Sequence, residues 1–278
     1  MKIKSLFISL YITAMSLALA QAAWMLHADP SLLPWWAVVT AVGPGLLFFA
    51  KLFLAPTART SAVMWSVFGF NALGTLLLWV SGSVAVWPWV HVLGLGWGGN
   101  ALYQFWYSRF GRQPSPTLTV GKKLPALQFE DAKGKAVSTD DIPGAMLLMF
   151  YRGNWCPLCM AQIKEVAQQY QALAARGVQT LLISSQPHDN TADLASKFNV
   201  PFHFLVDKDN RVASALQILA KDGTPTGLQV LGYGNDTAMP TVVLTDRHKT
   251  IVFCDETDNY RVRPEPATFL ALLDAQQR

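Results

Sequence analysis

The chain is poor in charge and poorest in acids. Only 14% of its 278 residues are charged, and of the 18 acids only Asp29 precedes Arg109. A hundred residues with one carboxylate do not make the surface of an ordinary water-soluble domain. Cysteine is also scarce: Cys156, Cys159 and Cys254 are the complete set. The first half therefore cannot relay electrons by thiol exchange. A structural zinc site lacks its second pair of ligands, because no Cys or His follows Cys254. The formal net charge is only +4, and the basic residues gather at the borders of apolar runs. The interleaving of basic and aromatic residues that marks a nucleic-acid groove is missing, which excludes nucleic acid as a partner. Gly43-Pro44-Gly45 and the glycines from Gly94 to Gly99 follow no strand, so they are not nucleotide loops.

What is present in the first part is apolar length. Residues 1–108 read as an all-α transmembrane domain of about four helices, at 5–26, 33–54, 62–80 and 84–106, each long enough for a bilayer core of ~30 Å. Trp24, Trp35, Trp36, Trp87, Trp89 and Trp106 cluster toward the ends of these runs, as an interfacial belt does. Ala18-Leu19-Ala20 also fits a signal-peptide cleavage pattern; the apolar run to Leu26 and the spans beyond it favour an uncleaved anchor. Pro88, His91, Asn100 and several glycines interrupt the fourth run, whose alternative is a re-entrant segment. His91 is expected to be a hydrogen-bonded packing residue, with haem ligation the alternative, and Asn71 and Asn100 are expected to be interhelical hydrogen-bond partners. Lys2 and Lys4, then Lys51 and Arg59, then Arg109, Arg112, Lys122 and Lys123 mark one side of the membrane. The positive-inside rule puts both chain ends in the cytoplasm of a bacterial-type inner membrane, crossed several times. Miscounting one later span would move the C-terminal domain to the periplasm. Residues 109–118, with Pro114 and Pro116, read as an extended linker to a second domain at 119–278.

The second domain is organised around Phe150-Tyr151-Arg152-Gly153-Asn154-Trp155-Cys156-Pro157-Leu158-Cys159. Met146 to Tyr151 is an apolar run suited to a strand buried on both faces. Ile163, Val166, Tyr170 and Leu173 follow at helical spacing, predicting a helix from Pro157 to Arg176 that stops at Gly177. A cysteine at a helix N-terminus meets unpaired N–H groups and the positive end of the macrodipole, so Cys156 is expected to be the acidic thiol. Cys159 lies near the same face of the first turn and can resolve a mixed disulfide. The pair is a two-electron switch. Further strands are expected at 178–184, 202–206, 241–245 and 250–254, a helix from Asp189 or Asn190 to Phe198, and a closing helix from Pro266 to Gln277. Cys254 reads as a buried strand cysteine, and Glu165 lies too far along the helix to serve the dithiol as a base.

Trp155-Cys156-Pro157-Leu158-Cys159, with Met239-Pro240-Thr241 opening a later apolar strand, resembles a thioredoxin-fold protein. Gly121 to Leu127, Val200 to Asp207 and Tyr260-Arg261-Val262-Arg263-Pro264 narrow the resemblance to the redoxin branch, the alkyl hydroperoxide reductase/thiol-specific antioxidant family. It covers about 119 to 278. The resemblance implies an α/β thioredoxin-like fold, a central mixed sheet flanked by helices, and an oxidoreductase acting on thiols, disulfides or peroxide. It implies no cofactor beyond a redox-active Cys156–Cys159 disulfide, and it makes Pro240 the family's cis-proline, exposing the backbone of Met239 to an extended partner. Trp155 would shield the sulfurs and offer a docking surface.

The family's peroxidase motif is altered here. Arg152 stands where its proline belongs, Cys156 where its threonine belongs, and Cys159 at the peroxidatic cysteine. The leading reading is disulfide exchange with a protein partner, in which Cys156 attacks, Cys159 resolves and Met239-Pro240 positions the substrate backbone. The alternatives are peroxide reduction led by Cys159 with Cys156 resolving, and redox sensing for the membrane domain.

Overall fold

The computed structural model describes residues 2–276. Met1, Gln277 and Arg278, the outer ends of the two expected domains and of the closing helix, lie outside the described residues. The chain divides into two compact units. One comprises Ile3–Pro56 and Ser61–Arg109; the other runs from Phe110 onward and includes Thr57–Thr60.

The first unit is helical: α1 (Lys2–Ala28), α2 (Leu33–Leu54), α3 (Trp65–Val80) and α4 (Val86–Trp89), the last continuing through π-helical turns at Val90–Gly99 and Leu102–Tyr107. By length and composition α1 and α2 are apolar enough to cross a membrane. Pro88 does not break the fourth helix, because in a first turn its missing N–H has no acceptor to lose. The expected interruption is taken up as π turns within a continuous helix. Gly74 is required by packing: a Cβ there would lie 2.7 Å from the Ala37 carbonyl oxygen and from the Ala41 Cβ. Asn71 Nδ2 donates to Gly96 O at 2.8 Å, an interhelical bond as expected. Asn100 differs from expectation. Its Oδ1 accepts from Gln104 Nε2 at 2.7 Å on the same helix, since a side chain four residues on is its nearest donor. His91 lies 2.9 Å from Gln21 Oε1 and against Trp87.

The second unit is built on a seven-stranded sheet ordered β2-β1-β5-β4-β3-β8-β9. The strands are β1 (Gln128–Asp131), β2 (Ala136–Ser138), β3 (Ala145–Phe150), β4 (Val178–Ser184), β5 (His203–Val206), β8 (Thr241–Thr245) and β9 (Ile251–Asp255), with β6 (Leu219–Ala220) and β7 (Thr237–Ala238) forming a small separate pair. β3, β4 and β5 run parallel, and β8 is antiparallel to β3. Helices α5 (Pro157–Gln168), α6 (Tyr170–Ala174), α7 (His188–Ser196), α8 (Arg211–Ala215) and α9 (Pro266–Gln276) complete the unit. This is the thioredoxin-like arrangement that the sequence predicts. All six residues of β3 are buried, as its unbroken apolar run requires of a central strand.

The structure departs from the sequence expectation at β1 and β2, which no expected strand covers, and at two further places. The single helix from Pro157 to Arg176 is interrupted at Gln169, where φ −101° and ψ 11° leave the helical region. The linker is not a free tether. Arg112 buries its side chain against Glu256 Oε1 at 2.9 Å, its backbone N–H reaches Asp258 Oδ1 at 3.0 Å, and the Ser115 N–H donates to Glu256 at 3.0 Å. A buried guanidinium is costly without an anion, and for Arg112 Glu256 supplies one.

Candidate active site

The dithiol stands where β3 gives way to α5. Gly153 makes the turn possible: its φ is +145°, and a Cβ would lie 2.7 Å from Trp155 Nε1. Such a backbone conformation is close to glycine-only. Gln186 braces the turn from the end of β4. Its Oε1 accepts from the Asn154 N–H at 2.9 Å and its Nε2 donates to the Tyr151 hydroxyl at 3.1 Å. Thr237 Oγ1 holds the Arg152 carbonyl at 2.8 Å. Cys156 is the N-cap of α5 and Pro157 its first residue, and the Cys156 sulfur accepts the Cys159 N–H at 3.4 Å. Both cysteines are reduced and buried, at 2% and 1% exposure.

A buried cation faces them. Arg263 Nη2 lies 3.4 Å from the Cys159 sulfur and 4.0 Å from that of Cys156. Its other groups are held in place: Nη1 donates to Gln162 Oε1 at 2.9 Å and Nε to Tyr260 O at 2.9 Å. Among the described residues no carboxylate pairs with it. A guanidinium buried without an anion is costly, so its natural counter-charge is a thiolate. Burial opposes charge on Cys159. The Cys156 thiol, the Arg263 guanidinium, and the backbone N–H and guanidinium of Arg152 outweigh it and bring Cys159 down to about 5. Burial and the neighbouring Cys159 hold Cys156 well above its ordinary value. The two sulfurs share one ionisation, and the charge falls on the sulfur nearer Arg263. The geometry therefore moves the acidic thiol from Cys156, where the helix terminus alone would put it, to Cys159.

The other predicted residues take distinct places. The Arg152 guanidinium stacks 4.5 Å from the Trp155 ring and 5.4 Å from that of Tyr260, and also bonds Gly223 O. Trp155 is thus a platform for Arg152. Pro240 is not cis; among the described residues no peptide bond is. The Met239 backbone is not open to a partner either. Its N–H donates to Ile218 O at 2.7 Å and its carbonyl accepts the Thr241 hydroxyl at 2.9 Å, while Arg112 Nη1 holds the Pro240 carbonyl at 3.1 Å. With these groups satisfied internally, the usual trans preference is not opposed. Cys254 lies on β9, half-buried, its thiol pushed up to about 12 by burial and by Glu256. Glu165 pairs with Arg59.

Sequence reasoning missed the roles of Arg263, Gln162 and Gln186. The available signal was Arg261 and Arg263 within a segment ending in Pro264, two cations close together with no acid between them.

Comparison with known proteins bears on the same stretch. The AhpC/TSA family model matches residues 120–254. That stretch, a little under half of the chain, is similar to the redoxin domains of this family. A putative peroxiredoxin from Coxiella burnetii is 29% identical over 104 residues, covering 37% of this chain and 69% of its own length. The thiol-disulfide oxidoreductase ResA of Bacillus subtilis is 22% identical over 103 residues. The match spans 37% of this chain and 58% of that relative's length, so it takes in little more than half of it. Among solved structures, peroxidoxin BcpB of Mycobacterium tuberculosis aligns over 57% of this chain and 97% of its own, at 17% identity and a TM-score of 0.46. The redoxin match begins after the helical unit and ends before Arg263.

Proposed function

We propose that the protein is a membrane-anchored thiol oxidoreductase in which the Cys159 thiolate attacks a peroxide and Cys156 resolves. The observation that carries this is the buried Arg263 guanidinium 3.4 Å from the Cys159 sulfur. The thiolate displaces the distal peroxide oxygen, giving a Cys159 sulfenic acid and, with one proton, an alcohol or water. The Cys156 thiol then condenses with the sulfenic acid, releasing water and leaving a Cys156–Cys159 disulfide. A dithiol reductant returns two electrons and two protons. Burial of both sulfurs favours a small acceptor over a folded protein's disulfide, and Arg152 and Arg263 supply cations that the missing threonine hydroxyl does not.

A Cys156→Ser variant is expected to form a trappable sulfenic acid at Cys159 within one turnover of hydrogen or alkyl hydroperoxide. Absence of that adduct, with insulin reduction persisting in the wild type, would favour the second reading. In that reading Cys156 attacks a partner disulfide. It is supported by the helix N-terminus that Cys156 caps and by the match to thiol-disulfide oxidoreductases.

The apolar α1 and α2, the further helices α3 and α4, and the distribution of Lys and Arg support a four-span anchor in a bacterial-type inner membrane. The redoxin domain is then in the cytoplasm. A C-terminal reporter fusion is expected to be active only as a cytoplasmic type; export of the reporter would reject this orientation.

A further inference from the structure

Arg263 is held by the short segment that carries it, and that segment is fastened from an unexpected part of the chain. Four residues between α2 and α3, Thr57–Thr60, belong to the redoxin unit. Thr60 donates its N–H to the Arg261 carbonyl at 2.9 Å, and Arg261 Nη1 donates to Thr60 Oγ1 at 3.1 Å. Arg261 is wholly buried while Thr60 is only half-buried, and the two bonds tie the segment to the loop through both a backbone and a side-chain group. Arg59 works one step further along. It pairs with Glu165 and donates to Pro264 O at 3.4 Å, with Glu265 Oε1 3.5 Å away.

Glu165 lies on α5 three residues after Gln162, which puts both on one helix face. Gln162 receives Arg263, and Glu165 receives Arg59. The same face of the dithiol helix therefore takes two guanidiniums, one from the segment and one from the loop that grips it.

We infer that Arg59 and Thr60 are positioning residues that hold the Arg261–Pro264 segment so that Arg263 faces Cys159. The loop between two apolar helices thereby becomes a control point for ionisation of the dithiol. This rests on the reading of Cys159 as the thiolate under Arg263. The Arg59–Glu165 pair is partly exposed, at 26% and 34% of the side chains, and solvent screens its contribution to stability. Its consequence is positional: without it the carbonyl of Pro264 and the carboxylate of Glu165 lose their shared partner, and Arg263 is free to retreat from the sulfur.

The test uses the full chain in detergent, with the thiolate midpoint read from the pH dependence of its ultraviolet absorbance. An Arg59→Ala/Thr60→Val double variant is expected to raise the midpoint by about half a unit to one unit, a roughly three- to tenfold loss of thiolate at any pH below the midpoint. Arg59→Lys is expected to recover part of the shift. If the wild-type midpoint is low and the folded double variant matches it within twofold in thiolate, the inference is overturned while the role of Arg263 stands. If the wild-type midpoint is itself that of an ordinary thiol, the functional reading fails first. Should the double variant not fold, Glu165→Gln removes only the ion pair; a smaller upward shift supports the inference and an unchanged midpoint overturns it.

Discussion

Replacing Arg263 with Gln raises the Cys159 thiol from about 5 toward the ~8.5 of a free thiol or above it. The variant keeps a hydrogen-bonding side chain of moderate length but removes the one cation within 3.4 Å of the sulfur. Burial then acts without its strongest electrostatic opponent. At neutral pH the wild type is expected to be almost wholly thiolate and the variant mostly thiol, so the proposed peroxide reduction is expected to fall by about tenfold to a hundredfold at pH 7. Raising the pH recovers part of the loss, because the variant still ionises, only later. A rate that falls equally at every pH would mean that Arg263 orients the substrate and does not set the charge. Arg263→Lys is expected to recover the ionisation only partly. Lys cannot reach Gln162, the Tyr260 carbonyl and the sulfur at once through one planar fork.

The second large effect is on the oxidised protein. Forming the Cys156–Cys159 disulfide removes the anion and leaves Arg263 buried without a counter-charge. The ionisation of Cys159 is depressed on folding, so it stabilises the reduced form fully above the unfolded thiol's ~8.5, and that stabilisation is lost as pH falls through about 5. Its full size is on the order of 5 kcal/mol. Against it, closing a loop this short stabilises the oxidised form by about 2 kcal/mol in the chain-entropy picture. The thiolate wins at pH 8, and the disulfide is a comparatively strong oxidant there. The advantage of the reduced form is expected to shrink by several kcal/mol, roughly 30 mV for each 1.4 kcal/mol, as pH falls to 5. Thermal unfolding of reduced and oxidised protein across that range checks it. A difference that does not change with pH would contradict a buried thiolate.

Much of the second unit was legible in the sequence because its signals are local. The unbroken apolar run of β3, Pro157 at the head of α5 and the cysteine spacing each depend on a few neighbouring residues. The break at Gln169 was not legible, since Tyr170 and Leu173 keep the helical period across it. The site's electrostatics were not legible either. A helix terminus acts on Cys156 from within its own turn, whereas Arg263 reaches Cys159 from 104 residues away. Arg112 and Arg59 likewise act through partners more than a hundred residues distant. Pro240 shows the opposite error. A residue-by-residue resemblance suggested a cis bond and an open Met239 backbone, but Ile218, Thr241 and Arg112 already use the groups that a partner would need.

The most direct measurement of the central claim is a pH titration of the reduced full-length chain with each cysteine β-carbon labelled for NMR, which assigns the charge to one sulfur without requiring a reagent to reach it. Cys159 is expected to ionise first, with a midpoint near 5, and Cys156 to stay protonated through neutral pH. Ionisation of Cys156 first, or of neither sulfur below pH ~8.5, would contradict it.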